Sequence, residues 1–418
     1  MSIQAISVLG LVLVFAIATA LPVNMGALAL AATFFVGVLG LGLSTKEIFA
    51  GFPGDLFVTL VGVTYLFAIA QKNGTVDWLV ERAVGLVRGH VVAIPWVMFT
   101  VAALLTAFGA LGPAAVAILA PVALTFAARH RISPVMMGLM VIHGAQAGGF
   151  SPISVYGGIV NGLVAKAGMA SGATELFLAS LFFNLGIAVV VFIVFGGLRL
   201  ARRVSEDGPG AEQAAPPATS LDPQRIATLA GLVALGVGAL AYQLNVGLLA
   251  IVVAVGLSLL APKAQKGAID KISWSTVLLI CGVVTYVEVM QKGGAVAQIG
   301  EAISHLGSPL LAALLLCFTG AVVSAFASST ALLGIVIPLA MPFLAKGQIS
   351  AIGVIAAIAV CTTIVDTSPF STNGALVVAN APEADRERVL RLLLIYSAVV
   401  VAIGPVIAWL VLVIPGWI

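Results

Sequence analysis

"TIVDTSPFSTNGALVV" (residues 363–378) lies between two very apolar stretches, "AIGVIAAIAV" before it and "RLLLIYSAVVVAIGPVIAWL" after it. Backbone at membrane depth has to satisfy its polar groups internally, which ordinarily means an unbroken helix. This stretch instead carries Asp366, Pro369, Asn373 and Gly374, with Thr367, Ser368, Ser371 and Thr372 packed into six residues. It reads as a helix interrupted on purpose inside a membrane.

The composition demands that setting. The 418 residues are 61% hydrophobic and 8% charged, against roughly 25% charged in a soluble domain. A water-facing surface cannot be made from so few charges, which excludes a soluble globular protein and points to a polytopic membrane protein. The formal net charge of +3 gives no reason to expect a nucleic-acid partner. Cys281, Cys317 and Cys361 sit in apolar runs without metal or disulfide spacing, and read as packing residues. The opening "MSIQAISVLGLVLVFAIATA" has no basic residue and reads as a first transmembrane helix, not a cleaved signal.

Spanning helices are expected near 3–21, 24–43, 56–71, 174–200, 225–243, 245–261, 274–291 and 389–415. Two regions, about 133–167 and 349–380, are too long for one span and carry a Ser-Pro near the middle; they are expected to be broken helices. Two others, about 91–127 and 308–345, hold two short apolar arms around a small tip, the pattern of a re-entrant hairpin. The one clearly polar stretch, 201–224, is rich in Pro, Gly, Ala and acidic residues and reads as a linker. It separates an N-terminal repeat, 1–200, from a C-terminal one, 225–418.

The halves match in order. "LPVNMGALAL" (21–30) pairs with "YQLNVGLLAI" (242–251), and "VTYLFAIAQKNG" (63–74) with "VTYVEVMQKGG" (284–294). "TAFGALGPAAVAILAPVAL" (106–124) pairs with "SAFASSTALLGIVIPLA" (324–340), and "SPISVYG" (151–157) with "SPFSTNG" (368–374). Four ordered matches at a nearly constant offset make an internal repeat. Each half then holds five crossings and one hairpin. Five is odd, so the second half is inverted in the membrane.

Charge tests this independently. With the N-terminus outside, the inside segments hold Lys72, Arg82, Arg88, Arg129, Arg131, Arg199, Arg202, Arg203, Arg225, Lys263, Lys266, Lys271, Arg386, Arg388 and Arg391. The outside segments hold only Lys46, Lys166, Lys292 and Lys346, a bias of 15 to 4. Both termini are then outside and the linker inside. Two connectors, 76–89 and about 295–306, are amphipathic: Val76, Leu79, Val80, Ala83, Val84 and Val87 share one face, and Val296, Ile299, Ile303 and Leu306 another. They read either as stiff arms between moving and static parts or as plain interfacial connectors.

Inverted repeats with broken helices are the plan of secondary transporters. A break at the midplane frees N–H groups that attract anions and carbonyls that, with hydroxyls, hold small cations. Pro152 and Pro369 are expected to start the new half-helices, because proline has no N–H to lose. Ser151, Ser154, Ser368, Ser371, Thr372 and Asn373 are then candidate substrate ligands, although Ser and Thr can also simply recap interrupted backbone. The second tip offers Ser328, Ser329 and Thr330. The first has no side-chain hydroxyl or amide and offers backbone at Gly112, where glycine admits either a ligand or tight packing of the arms.

Asp366 is the most informative residue, since a carboxylate at membrane depth is costly. The nearest basic residues, Lys346 and Arg386, are 20 positions away on each side. Its partner is a cation or a proton, unless the carboxyl is kept neutral or caps the half-helix beyond it. With it, Thr106, Gly149, Ser324 and Ser329 are the candidate Na⁺ ligands, Gly149 being the counterpart of Asp366 in the first half. His143, with Gln146 nearby, is either pore-facing or a packed histidine. Glu288 and Lys292, four apart, read as an interfacial pair. There is no P-loop, HExxH or CxxC, and no Ser/His/Asp set with recognisable spacing. An intramembrane protease would need a second aspartate, which is missing, so the chain is read as a non-enzyme. A cation/proton antiporter using Asp366 without an organic substrate is the alternative to a substrate symporter.

Paired hairpins and paired broken helices in inverted halves resemble the ion transporter superfamily and, within it, the divalent-anion:sodium symporters. Their tips carry Ser-Asn-Thr; Ser328-Ser329-Thr330 is close to this, while Leu111-Gly112-Pro113 departs from it completely. The stretch "IHGAQAGGFSPISVYGGIVNGL" (142–163) and the N-terminal half resemble the MatC-type malonate and dicarboxylate carriers. The resemblance implies Na⁺-driven uptake of a small dicarboxylate such as malonate or succinate across a bacterial inner membrane. It also implies a homodimer working as an elevator. The moving part would include 133–200 and 349–415, and the scaffold 3–71 and 225–291.

Overall fold

The polar stretch at 363–378 does interrupt a helix. Ala351–Ile364 stops, a turn follows, and the chain resumes as Thr372–Asn380. A computed structural model describes residues 2–85, 91–170, 172–200, 221–304, 308–325 and 328–416. The greater part of the expected linker, the ends of both amphipathic connectors (Val87 and Leu306 among them) and Phe326–Ala327 of the second tip lie outside them.

The fold is all-α and polytopic. In the first half, α1 (Ile3–Ala20), α2 (Met25–Gly40), the short α3 (Thr45–Ala50) and α4 (Gly54–Lys72) are followed by the amphipathic α5 (Thr75–Gly85). Then come α6 (Ile94–Ala107) and α7 (Gly112–Arg129), joined by a four-residue turn, the broken pair α8 (Pro134–Gly148) and α9 (Val155–Lys166), and α10 (Ala173–Val194). The second half repeats the order. It runs α11 (Pro223–Leu240), α12 (Val246–Leu260), α13 (Trp274–Lys292), α14 (Ala295–Ser304), α15 (Pro309–Ser324), α16 (Ser329–Leu344), α17 (Ala351–Ile364), α18 (Thr372–Asn380) and α19 (Glu383–Val413). Seven of these are long and apolar enough to cross a membrane, α7 among them, so length alone does not separate a hairpin arm from a span.

Matching sequence makes matching structure. Asn24 and Asn245 each begin a helix, their side-chain oxygens accepting from the N–H groups of Gly26 and Ala27, and of Leu248. Gly26 lets α2 meet α13 backbone to backbone: a Cβ there would lie 2.0 Å from the Leu278 carbonyl oxygen. Gly247 does the same for α12 against α4, where a Cβ would lie 2.6 Å from Thr59 Cα. Close glycine crossings are the usual way membrane helices gain contact, because lipid gives no hydrophobic drive between them. Tyr65 and Tyr286, one repeat apart, each tie α4 or α13 to a neighbour, at Ser258 (3.0 Å) and the Ser7 carbonyl (2.8 Å).

The broken helices sit innermost. Every residue from Val135 to Gly148 and from Gly353 to Ile364 is buried. Large exposed apolar side chains fall on peripheral helices, such as Val190 and Val194 on α10 and Leu259 and Leu260 on α12, and form a lipid-suited surface. Cys281, Cys317 and Cys361 are buried and free.

Polar contacts join the ends of helices distant in sequence. Lys166 pairs with Glu288 at 2.9 Å and donates to the Gly51 carbonyl at 3.0 Å; Lys292 donates to the Glu47 carbonyl at 2.6 Å. Lys166, Lys292 and the loop carbonyls of Glu47 and Gly51 fall in segments that the charge count groups together, and Glu288 lies near the end of α13 beside them. Lys72 donates to the Lys266 carbonyl, and Asn73 to Thr228, joining inside segments. The expected Glu288–Lys292 pair is thus replaced: Glu288 faces Lys166 across a helix interface, and Lys292 turns to a loop carbonyl.

Candidate functional site

Both breaks are built by one device. Ser154 caps α9: its Oγ accepts from Gly157 N at 3.1 Å and donates to the carbonyls of Gly149 (2.5 Å) and Ser151 (2.6 Å). Ser371 caps α18: its Oγ accepts from Gly374 N at 3.3 Å and donates to the carbonyls of Asp366 (2.5 Å) and Ser368 (2.7 Å). Ser151 and Ser368 accept from the N–H groups of Ile153 (3.4 Å) and Phe370 (3.3 Å). Gly157 and Gly374 are fixed by closeness, since a Cβ would stand 2.0 Å from the Ser151 carbonyl oxygen and 2.1 Å from that of Ser368.

This corrects one expectation and closes one alternative. Pro152 and Pro369 do not start the half-helices; each lies in the turn two residues before a serine cap, because a serine hydroxyl satisfies an orphan N–H that proline cannot. Asp366 is no helix cap either, since Ser371 holds that position. The hydroxyls of Ser154 and Ser371 are committed to backbone, as recapping requires.

The two tips and the second break converge on a cavity of ≈ 460 Å³. Ser328, Ser329, Thr330, Asp366, Ser371, Thr372 and Asn373 line it, with Leu111 and Pro113 from the first tip. Gly112, between them, is buried and not among the lining residues; an added Cβ there would lie 3.6 Å from Asn373 Nδ2. Ser151, Ser154 and Ser368 are buried away from it. Of the cation candidates, three come together: Ser324 Oγ lies 2.9 Å from Ser329 Oγ, and Ser329 donates to an Asp366 carboxylate oxygen. Two do not. Thr106 donates to the Ala102 carbonyl at 3.1 Å within its own helix, and Gly149 is covered by the Tyr156 ring, whose Cδ2 would meet an added Cβ at 3.2 Å.

Asp366 is 7% exposed and is the only charged side chain among the lining residues. Asn373 is 2% exposed, and its side-chain oxygen has no hydrogen-bond partner. An unsatisfied buried acceptor on a cavity wall is where a ligand's donor or a cation would fit. His143 does not reach the cavity. Its Nδ1 lies 2.9 Å from Asn184 Oδ1 and its Nε2 2.6 Å from the Tyr396 hydroxyl, tying α8 to α10 and α19 as a packed histidine.

The opposite wall was not read from the sequence. Thr19, Asn24 and Met25 supply it from the α1–α2 turn, and Ser275, Thr276 and Leu279 from the start of α13. Asn24 Nδ2 donates to the Ser275 carbonyl (2.9 Å) and hydroxyl (3.0 Å), joining these elements. The Asn24–Asn245 match marked the repeat but did not say that Asn24 borders a cavity. Tyr156 was missed although it occupies the position matched to Asn373. The α1–α2 turn and the start of α13 thus border the same cavity as the tips.

A polytopic helical fold with a polar cavity between two hairpin tips and a broken helix is a carrier architecture. Residues 1–149 match the family model "Dicarboxylate carrier protein MatC N-terminus". Among solved structures, the chain is similar to the YdaH transporter of Alcanivorax borkumensis, with a TM-score of 0.60 and 16% identity over 89% of this chain and 88% of that one. At that identity the likeness concerns the fold. No curated protein matches the chain. Both likenesses are to transport proteins, none to an enzyme.

Proposed function

We propose that the protein is a secondary active transporter that brings a small dicarboxylate, such as malonate or succinate, into the cell with a coupling cation. Na⁺ is the expected ion, with H⁺ the other candidate, and a bacterial inner membrane the expected location. The observation that carries this reading is the cavity, where a carboxylate–hydroxyl cluster (Ser324, Ser329, Asp366) adjoins a larger wall of hydroxyl and amide groups, with no Lys, Arg or His among the lining residues.

A dianion in such a place needs positive charge from elsewhere. Backbone N–H groups at the starts of α7, α16 and α18 supply partial charge; the remainder falls to bound cations. Importing a dianion against an inside-negative potential costs about 2.3 kcal/mol per charge per 100 mV, which co-transported cations offset. A cavity of ≈ 460 Å³ is also far larger than a bare cation requires, which favours symport over cation/proton exchange. Its two walls belong to different parts. The tips and break form one, the α1–α2 turn and α13 the other, as an elevator with its site on the moving part would have it. The Na⁺ ligands proposed are Ser324, Ser329 and Asp366.

The test is uptake of labelled malonate and succinate by purified protein in liposomes, with and without an inward Na⁺ gradient. Gradient-dependent uptake is expected. Absence of uptake under Na⁺ and H⁺ gradients alike refutes the proposal, and Na⁺-driven pH change without organic substrate replaces it with antiport.

A further inference from the structure

We propose that Tyr156 is a substrate-contacting residue, whose hydroxyl works with the Asn373 amide to receive one carboxylate of the substrate above Gly112. The inference rests on the dicarboxylate reading and adds a residue and a binding geometry to it.

The argument starts from the repeat. Tyr156 in "SPISVYG" and Asn373 in "SPFSTNG" occupy the same position after the two breaks. Each stands one residue beyond the first residue of its half-helix, and each faces the cavity. They converge on one point: a Cβ built on Gly112 would lie 3.6 Å from Asn373 Nδ2 and 3.8 Å from the Tyr156 hydroxyl oxygen. Gly112 is the first residue of α7, so free backbone N–H groups lie at the same spot. The second observation is Asn373 itself, 2% exposed and lining the cavity: its Nδ2, the atom nearest Gly112, is the donor a carboxylate needs, while its oxygen, which has no partner, is an acceptor left for a cation beside the substrate.

The halves differ in what fills the equivalent space. In the second half, Ser329 at the tip reaches Asp366 at the break. In the first half the matched residues are Gly112 and Gly149, neither of which has a side chain to do so. The Tyr156 ring occupies the gap, packed over Gly149 and against Phe150 at 5.7 Å between ring centres. Its hydroxyl then extends toward Thr330 and the cavity. A neutral donor thus stands where the other half has a carboxylate. It can give a hydrogen bond to an anion and offers no charge to hold a cation.

The ring buries itself, so only the hydroxyl is at issue, and Tyr156→Phe removes the hydroxyl alone. A hydrogen bond to a charged group is worth about 1.5–3 kcal/mol, which is a rise in KM for malonate or succinate of about tenfold or more. The maximal rate and the Na⁺ concentration for half-activation should stay within about twofold. Gly112→Ala is the second variant. The contacts of its methyl are ordinary in length, so thermal stability should hold while uptake falls, the methyl standing between the two groups. Wild-type uptake with an unchanged KM in Tyr156→Phe overturns the inference and leaves the dicarboxylate reading intact. A loss of stability in Gly112→Ala equal to its loss of uptake overturns the geometry. No uptake by the wild type removes the dicarboxylate reading and the Tyr156 assignment together.

Discussion

Asp366→Asn separates the charge at the second break from its shape. Asn is nearly isosteric, and its side-chain oxygen can still accept the hydrogen bond from Ser329. The turn should survive, because it is held by Ser371 and by glycine at 374, not by the Asp366 side chain. What is lost is one unit of negative charge next to the ion. At about 4 Å and an effective dielectric near 20, that attraction is worth about 4 kcal/mol. Part of the loss is returned, since a carboxylate at 7% exposure no longer has to be desolvated. A net loss of about 1.5–3 kcal/mol remains, a rise of about ten- to a hundredfold in the Na⁺ concentration for half-maximal uptake. The assay is a Na⁺ activation curve for labelled succinate uptake in liposomes, with Tm measured alongside. A variant that folds normally and keeps the wild-type Na⁺ dependence refutes the placing of the ion at Asp366.

The Lys166–Glu288 pair joins the end of α9, on the inferred moving part, to α13 and, through the Gly51 carbonyl, to the loop before α4. With about a third of the lysine side chain exposed, it is worth at most about 1 kcal/mol; Glu288→Gln should shift the inward-open population by up to about fivefold without lowering Tm, read as outside labelling of Ser328→Cys. Unchanged labelling would show that the contact does not bias alternation. Gly26→Ala and Gly247→Ala should each lower Tm sharply, since the new methyl meets backbone at 2.0 and 2.6 Å, whereas Gly186→Ala, with open space around it, should be neutral or better. Equal Tm values for all three would refute the close-crossing account. Outside the spans, Glu47 accepts from the Ser44 hydroxyl at 2.6 Å and from its N–H at 2.8 Å, which lower its pKa from the ordinary 4.5. Its contribution to the α3 cap is therefore complete above 4.5 and lost as pH falls through the lowered value. Glu47→Gln should abolish that acid-limb change in amide exchange at 45–50, and an identical acid limb in both proteins would contradict it.

The helix breaks and the paired short helices around each tip were legible because each leaves a local mark. An acid, a proline and four hydroxyls in an apolar run have no other use, and two copies in matched order remove the accident. Ser328–Thr330, Asp366, Thr372 and Asn373, which line one cavity, stood out for the same reason, being polar where polarity is costly. The starts of the half-helices were misplaced because proline and serine compete for the first turn, and only geometry shows that the serine wins. Asn24, Ser275 and Thr276 were invisible as cavity residues because they sit at helix ends, where polar residues are expected anyway. Tyr156 was hidden for a different reason. A tyrosine in an apolar chain reads as packing, and only its position above Gly112 separates the hydroxyl from the ring.

The unequal halves bear on why transport would be coupled. Asp366 has hydroxyl and backbone neighbours and no basic partner in the cavity. Left ionised and alone, it would cost several kcal/mol to carry through the low-dielectric interior. On the proposed reading, an empty carrier would move readily only with a cation or proton on Asp366, and a loaded one only when further cations offset the substrate. The same carboxylate that is proposed to give the ion a site would thus penalise the half-loaded states that leak. The role proposed for Tyr156 has the opposite property, binding an anion without asking for a second buried charge. On this reasoning Asp366→Asn should weaken Na⁺ dependence and also relieve the penalty on the empty carrier. Substrate efflux into Na⁺-free, substrate-free buffer should then be faster, relative to exchange, than in the wild type. A variant whose Na⁺-free efflux stays as slow as that of the wild type would show that something other than the buried carboxylate enforces coupling.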